Sequence, residues 1–182
     1  IYTRRHTLSL HDALPIFGGH GDSSSCRQRH AGYVEAMNAA GLPIAPRWRV
    51  ETLPTRMDAA RACADLFAAK PAPTAAVCYN DAVALGLMLG LNQRGIQPGR
   101  DFALTGFDDI PEAALSTPPL TTLSVDPRAR GRQAAELLLQ RVRSPEAAPC
   151  NVVAPVTLVV RGSSGASLSS ESASNPSNRT SA

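Results

Sequence analysis

PTAAVCYNDAVALG, residues 73–86, holds two periodicities back to back. Residues 74–80 (TAAVCYN) form a continuous apolar run with β-branched and aromatic content, the pattern of a strand buried on both faces of a parallel sheet. Residues 81–95 (DAVALGLMLGLNQRG) then read as a helix, with Asp81 near its N-terminus and Gly95 past its end. A buried strand that passes directly into a helix is the unit of α/β folds.

The same alternation extends in both directions. Upstream, a glycine-rich stretch FGGHGDSSS precedes a helix over about 24–40, which Ser23 or Ser24 can cap and Gly41 ends. RWRVETL (47–53) reads as a short strand. MDAARACADLFAAK (57–70) reads as a helix with Ala60, Cys63, Ala64 and Phe67 on one face. Downstream, DFALTGFDD (101–109) is a strand ending in a turn, and LTTLSVD (120–126) is another strand. PRARGRQAAELLLQRVR (127–143) is a helix with Pro127 in its first turn. VVAPVTLVVR (152–161) supplies a last strand or two, interrupted by Pro155. The expectation is an α/β fold with a mostly parallel sheet flanked by helices.

Such sheets bind ligands beyond the carboxyl ends of their strands. Asn80-Asp81 and Phe107-Asp108-Asp109 both stand where a strand ends and polar groups begin, which places an amide and several carboxylates at one ligand site. A catalytic carboxylate dyad would need a base, nucleophile or metal cluster beside it, and the sequence provides none. No G-x-S-x-G elbow and no P-loop occur. Cys26, Cys63, Cys78 and Cys150 form no CxxC pair and have no His at ligand spacing, so they read as free buried thiols of a reducing compartment, with no metal and no cofactor.

Composition agrees with this reading. The 182 residues are 43% hydrophobic and 18% charged, with a net charge of +3, too mild and too scattered to demand a nucleic-acid partner within the chain itself. Aromatics are 4%, so the core has to be built from Ala, Leu and Val. No apolar run approaches the ~20 residues that span a bilayer, and no membrane partner is expected. From Gly165 the chain is Ser-rich and lacks large apolar residues, the composition of a disordered tail over 165–182.

Three runs taken together carry a resemblance. PTAAVCYNDAVALG (73–86), GIQPGRDFALTGFDDI (95–110) and PPLTTLSVD (118–126), with DSSSCRQRHAGY (22–33) before them and LVVRGSS (158–164) after, resemble the sensor domain of LacI/GalR-type transcriptional regulators over about residues 17–164. The resemblance implies the type I periplasmic-binding-protein fold, two α/β lobes joined by crossover strands with a small effector, often a sugar, in the cleft. It implies that this chain holds most of the C-terminal lobe (about 17–115 and 152–164) and a remnant of the N-terminal lobe (about 118–145). A helix-turn-helix domain that binds operator DNA and the first half of the sensor would lie upstream, in a cytoplasmic homodimer without enzymatic activity. A periplasmic sugar-binding protein of a transport system shares the fold and is the rival expectation.

The resemblance also assigns residues. Arg29 matches an effector-contacting arginine, whose planar fork of donors suits vicinal hydroxyls or a carboxylate. Asn80 and Asp81 match a ligand-contacting pair that can also cap the following helix, with Asp81 favoured as partly a cap. Asp108 matches a ligand contact, Asp109 an adjacent structural position, and Phe107 a residue at the pocket floor. The sequence departs from the family at two places. Val125 stands where a Gln is common, and no aromatic stands at Leu53-Pro54, Trp48 coming several residues early.

The first sixteen residues resemble something else. TLSLHDALPI (7–16) matches the conceptual translation of a widely used short-read sequencing adapter, and Ile1–Thr3 fits the arm that precedes it. Residues 1–16 are therefore set aside as a non-native segment, including His11-Asp12, which would otherwise suggest a catalytic pair.

Overall fold

A computed structural model describes residues 14–68 and 72–165. Its centre is a four-stranded parallel sheet in the order β2-β1-β3-β4, built from β1 (Ile16–Phe17), β2 (Arg49–Val50), β3 (Ala75–Cys78) and β4 (Ala103–Thr105). Ile16 pairs with Arg49 on one side and Val77 on the other, and Ala76 pairs with Leu104. The chain steps outward from β1 to β2, then returns across β1 to β3. That reversal is a topological switch point, where open α/β sheets bind ligands. β3 is the strand read from PTAAVCYN; it pairs on both sides, with Ala76 and Cys78 buried and Ala75 and Val77 half-buried rather than enclosed on both faces.

Three helices cover this sheet. α1 (Ser24–Ala39) starts at N-cap Ser23, whose hydroxyl accepts from the Cys26 amide, and is followed by Gly41 at φ +65°. α2 (Arg56–Ala68) and α3 (Asp81–Gln93) pack together. Their approach depends on two glycines one turn apart on α3. A Cβ at Gly86 would stand 2.3 Å from the Arg56 carbonyl oxygen, and one at Gly90 would stand 2.6 Å from the Cys63 Cβ. Phe17, Leu66, Val83, Leu87, Leu91, Phe102, Leu104 and Leu120 fill the core between the sheet and these helices. A smaller cluster joins Tyr33 and Met37 of α1 to Ile16.

Several expectations change. The buried face of α2 is Ala59, Ala62, Cys63 and Leu66, while Ala64 is exposed. The helix is turned so that Leu66 is fully buried, while Phe67 packs half-buried at the edge of the core, its ring 5.8 Å from that of Phe102. The strand expected over 47–53 contracts to two residues, since Pro46 opens a 3₁₀ turn that runs through Trp48. A short helix α4 (Pro111–Leu115) follows the Asp108-Asp109 turn and was not expected. Of the four cysteines, all free, Cys26, Cys63 and Cys78 are buried, whereas Cys150 is exposed.

The remaining elements stand apart. β5 (Thr122–Ser124) pairs antiparallel with β6 (Thr157–Val159) in a separate two-stranded sheet. Between them runs α5 (Pro127–Arg143), with Pro127 in its first turn and Asp126 as its cap. None of its residues is buried, and Leu138, Leu139 and Val142 are exposed. Pro155 lies outside β6.

The segment set aside at 1–16 is described only from Leu14. There Pro15 is fully buried, Ile16 opens β1, and the Tyr33 hydroxyl donates to the Leu14 carbonyl at 2.6 Å. His11-Asp12 and the Ser-rich stretch beyond Gly165 lie outside the described residues.

Candidate functional site

Arg29 is the hub at the carboxyl ends of the strands. One turn and a half into α1, its Nη1 donates to the Tyr79 carbonyl at 2.5 Å and its Nη2 to Asp108 Oδ1 at 3.3 Å. Its guanidinium lies 3.8 Å from the Phe107 ring centroid and 4.8 Å from that of Tyr79, so two aromatic rings hold the cation. Three elements therefore converge on one side chain: α1, the end of β3, and the turn after β4. Arg29 of α1 and the adjacent pair Phe107-Asp108 after β4, far apart in the chain, are brought together.

Asp108 sits at φ +112° and Asp109 at φ +56°, a backbone region sparsely populated by residues with a Cβ. The turn faces the two carboxylates to different partners. Asp108 meets Arg29, and Asp109 accepts from Arg161 Nη2 at 2.8 Å. They do not form a dyad. Burial lifts the Asp108 carboxyl above its ordinary value, and the neighbouring Arg29 charge offsets only part of that rise.

Asn80 and Asp81 divide the work at the start of α3. Asn80, and not Asp81 as expected, is the cap, its Oδ1 accepting from the Val83 amide at 2.9 Å. Asp81 is fully buried. Its Oδ1 accepts from the Thr122 hydroxyl at 2.5 Å and its Oδ2 from the Ile110 amide at 2.9 Å. Both oxygens are thus engaged within the protein. Burial raises the Asp81 pKa, which the two hydrogen bonds counter and the nearby Asp108 and Asp109 charges reinforce.

Sequence reasoning missed three polar contributors. The Tyr79 hydroxyl lies 3.4 Å from both Ser23 Oγ and Ser25 Oγ, which are 3.2 Å from one another. These three hydroxyls border the Arg29 cluster through the Tyr79 ring. A tyrosine directly before an Asn-Asp pair at a strand end was the available signal. Trp48, considered as a displaced stacking residue, is buried, while Leu53 is exposed. No group of three or more metal-ligating side chains occurs among the described residues.

A doubly wound parallel sheet with a polar cluster at its switch point defines an α/β ligand-binding domain. The family described as periplasmic binding protein-like domain matches residues 10–164, and the chain belongs to it, as an effector-binding domain of the LacI/GalR type. The HTH-type transcriptional repressor PurR of Vibrio parahaemolyticus is 39% identical over 137 residues, 75% of this chain and 41% of that protein. Among solved structures, a complex of the transcriptional regulator CelR with cellobiose superposes with a TM-score of 0.79 at 27% identity, covering 84% of this chain and 47% of that one. The Lac repressor dimer bound to operator and the anti-inducer ONPF superposes with a TM-score of 0.77 at 29% identity, covering 86% and 46%. The chain thus spans less than half the length of each of these relatives. All three are regulators of transcription by name.

Proposed function

We propose that this chain is the effector-binding part of a cytoplasmic, DNA-binding transcriptional regulator, and that its effector is a small neutral polyhydroxylated molecule, a sugar or a close relative of one. Operator DNA is contacted by an N-terminal helix-turn-helix segment of the longer protein, which acts as a homodimer. Arg29, Asn80, Phe107 and Asp108 contact the effector, and Asp81 supports them from within. The observation that carries the reading is the charge balance of the site. Arg29 already faces Asp108, so the cluster offers no uncompensated cation to an anionic ligand. Around that pair stand hydroxyls and two aromatic rings, donors, acceptors and faces that a sugar uses. The relatives support the regulatory half of the reading: CelR was solved with cellobiose and the Lac repressor with operator. The free thiols, three of them buried and that of Cys150 exposed, suit a reducing compartment.

Calorimetric titration with neutral mono- and disaccharides, sugar phosphates and nucleobases tests the effector class. Saturable binding confined to a neutral sugar is the expected result, and binding only of an anion or a nucleobase would overturn it. The periplasmic transport reading is separated by the native DNA upstream of codon 17. A frame leading back to a helix-turn-helix is expected; a signal peptide there would favour the transporter.

A further inference from the structure

The turn that presents Asp108 is fastened to a strand outside the main sheet. Gly106 N donates to the Thr121 carbonyl and Asp108 N to the Leu123 carbonyl, both at 2.9 Å, so residues 105–108 run parallel to the start of β5. Side chains add two tethers. Asp81 holds the Ile110 amide with one oxygen and the Thr122 hydroxyl with the other. Arg161 holds Asp109 with one Nη and the Leu120 carbonyl with the other, both at 2.8 Å. The turn also presses closely on the first tether, since a Cβ at Gly106 would fall 2.1 Å from Asp81 Oδ1.

Asp81 and Thr122 are both 0% exposed. They lie too deep to touch a ligand, and a buried carboxylate is expensive to keep where an aliphatic pair would pack. Its use here is directional: one carboxylate fixes the ligand-bearing turn and β5 to the same point. We infer that Asp81 and Thr122 are positioning residues that carry the state of the Arg29–Asp108 pair into β5, and through its ladder into β6. The inference rests on the proposed function, since it gives the effector a route out of its site. An effector that draws Asp108 away from Arg29 displaces a turn whose positions 106, 109 and 110 are already fixed. The displacement then passes to β5 instead of being absorbed locally.

Coupling of this kind is established by non-additivity, not by proximity. The test uses the full 182-residue chain without ligand. Asp108→Asn perturbs the ion pair, and amide hydrogen exchange is read at 122–124 and 157–159. Exchange there should change by between about threefold and a hundredfold, the range that coupling between contacting residues spans. Thr122→Val, which keeps the side-chain shape but removes the donor, should abolish the change. Thr122→Ser, which keeps the donor but loses the methyl, should retain it. No change on Asp108→Asn in the Thr122 background overturns the inference without any second variant. A change that survives Thr122→Val, or is lost equally in Thr122→Ser, also overturns it, because packing rather than the hydrogen bond would then carry the effect. Failure of the effector reading looks different: no neutral sugar would bind while the exchange coupling stayed intact.

Discussion

At the scale of single residues, Arg29 and Asp81 show how the same charge chemistry serves two ends. Arg29 is partly exposed, with about a quarter of its side chain accessible at 24%, and its partner Asp108 at 35%. An ion pair this open contributes up to about 1 kcal/mol to folding. Arg29→Lys should therefore leave the urea midpoint nearly unchanged. It should weaken effector binding about tenfold or more, because a lysine cannot donate from a planar fork or stack between two rings. Calorimetry with the sugar found in the ligand panel reads the second effect and denaturation the first. Asp81 differs in being enclosed. Its raised pKa means that the folded chain holds this proton more tightly than the unfolded chain does. Folding then takes up a proton between the ordinary value of 3.8 and the raised one. Stability from this group is highest below that window, falls as pH rises through it, and is flat above it. Asp108 has the same sign, whereas Glu112, lowered by its own backbone and by Arg56, has the opposite sign. The difference between wild type and Asp81→Asn should accordingly change with pH above the ordinary value of 3.8 and level off once the raised pKa is passed. A difference that stays constant with pH would contradict the assignment.

At the scale of elements, the pairing of α2 with α3 is the most demanding contact in the fold. Gly86 and Gly90 allow α3 to approach the backbone of α2. Gly86→Ala should cost about 1–3 kcal/mol, the usual penalty of overpacking, and Gly90→Ala a similar amount. Gly32, in the middle of α1, is an internal contrast, since a Cβ there would meet nothing within 4 Å. Gly32→Ala should stabilise by about 0.5–1 kcal/mol through helix propensity. Chemical denaturation of the three variants decides this, and equal effects at all three positions would mean that the helices are not closely packed. These elements were legible to different degrees. The existence of β3, α1, α3 and α5 followed from periodicity and caps, which are local: Ser23, Asn80 and Pro127 sit where the helix-start rules put them. The buried face of α2 did not, because Phe67 and Leu66 are equally apolar in one dimension and only the sheet behind them decides between them. The Arg29 cluster was legible as a set of family positions, but its geometry was not. Which groups bond Arg29, the separate partners of Asp108 and Asp109, and the hydroxyls of Ser23, Ser25 and Tyr79 all depend on bringing α1 to the ends of β3 and β4. No short-range pattern encodes that juxtaposition.

At the scale of the whole molecule, apolar burial is distributed unevenly. The core formed by Phe17, Leu66, Leu87, Leu91, Phe102, Leu104 and Leu120 lies between the parallel sheet, α2 and α3. By contrast α5 has no buried residue, and Leu138, Leu139 and Val142 expose 64%, 55% and 68% of their surface. Leu158 and Val160, in and beside β6, are exposed as well. Local stability follows buried apolar area, so the chain should open in two tiers. Amides of α2, α3 and β3 should exchange only through global unfolding. Those of α5 should exchange faster by orders of magnitude, at a rate insensitive to Gly86→Ala, because opening α5 alone does not disturb the α2–α3 contact. The exposed leucines and valine should also promote self-association, as contiguous apolar surface does. Replacing Leu138, Leu139 and Val142 together by glutamine should lower the weight-average mass seen in sedimentation at high concentration. It should leave the main unfolding transition within about 0.5 kcal/mol, the usual reach of surface changes. A large loss of stability in that triple variant would instead place α5 in the cooperative core, and the two-tier description would fail.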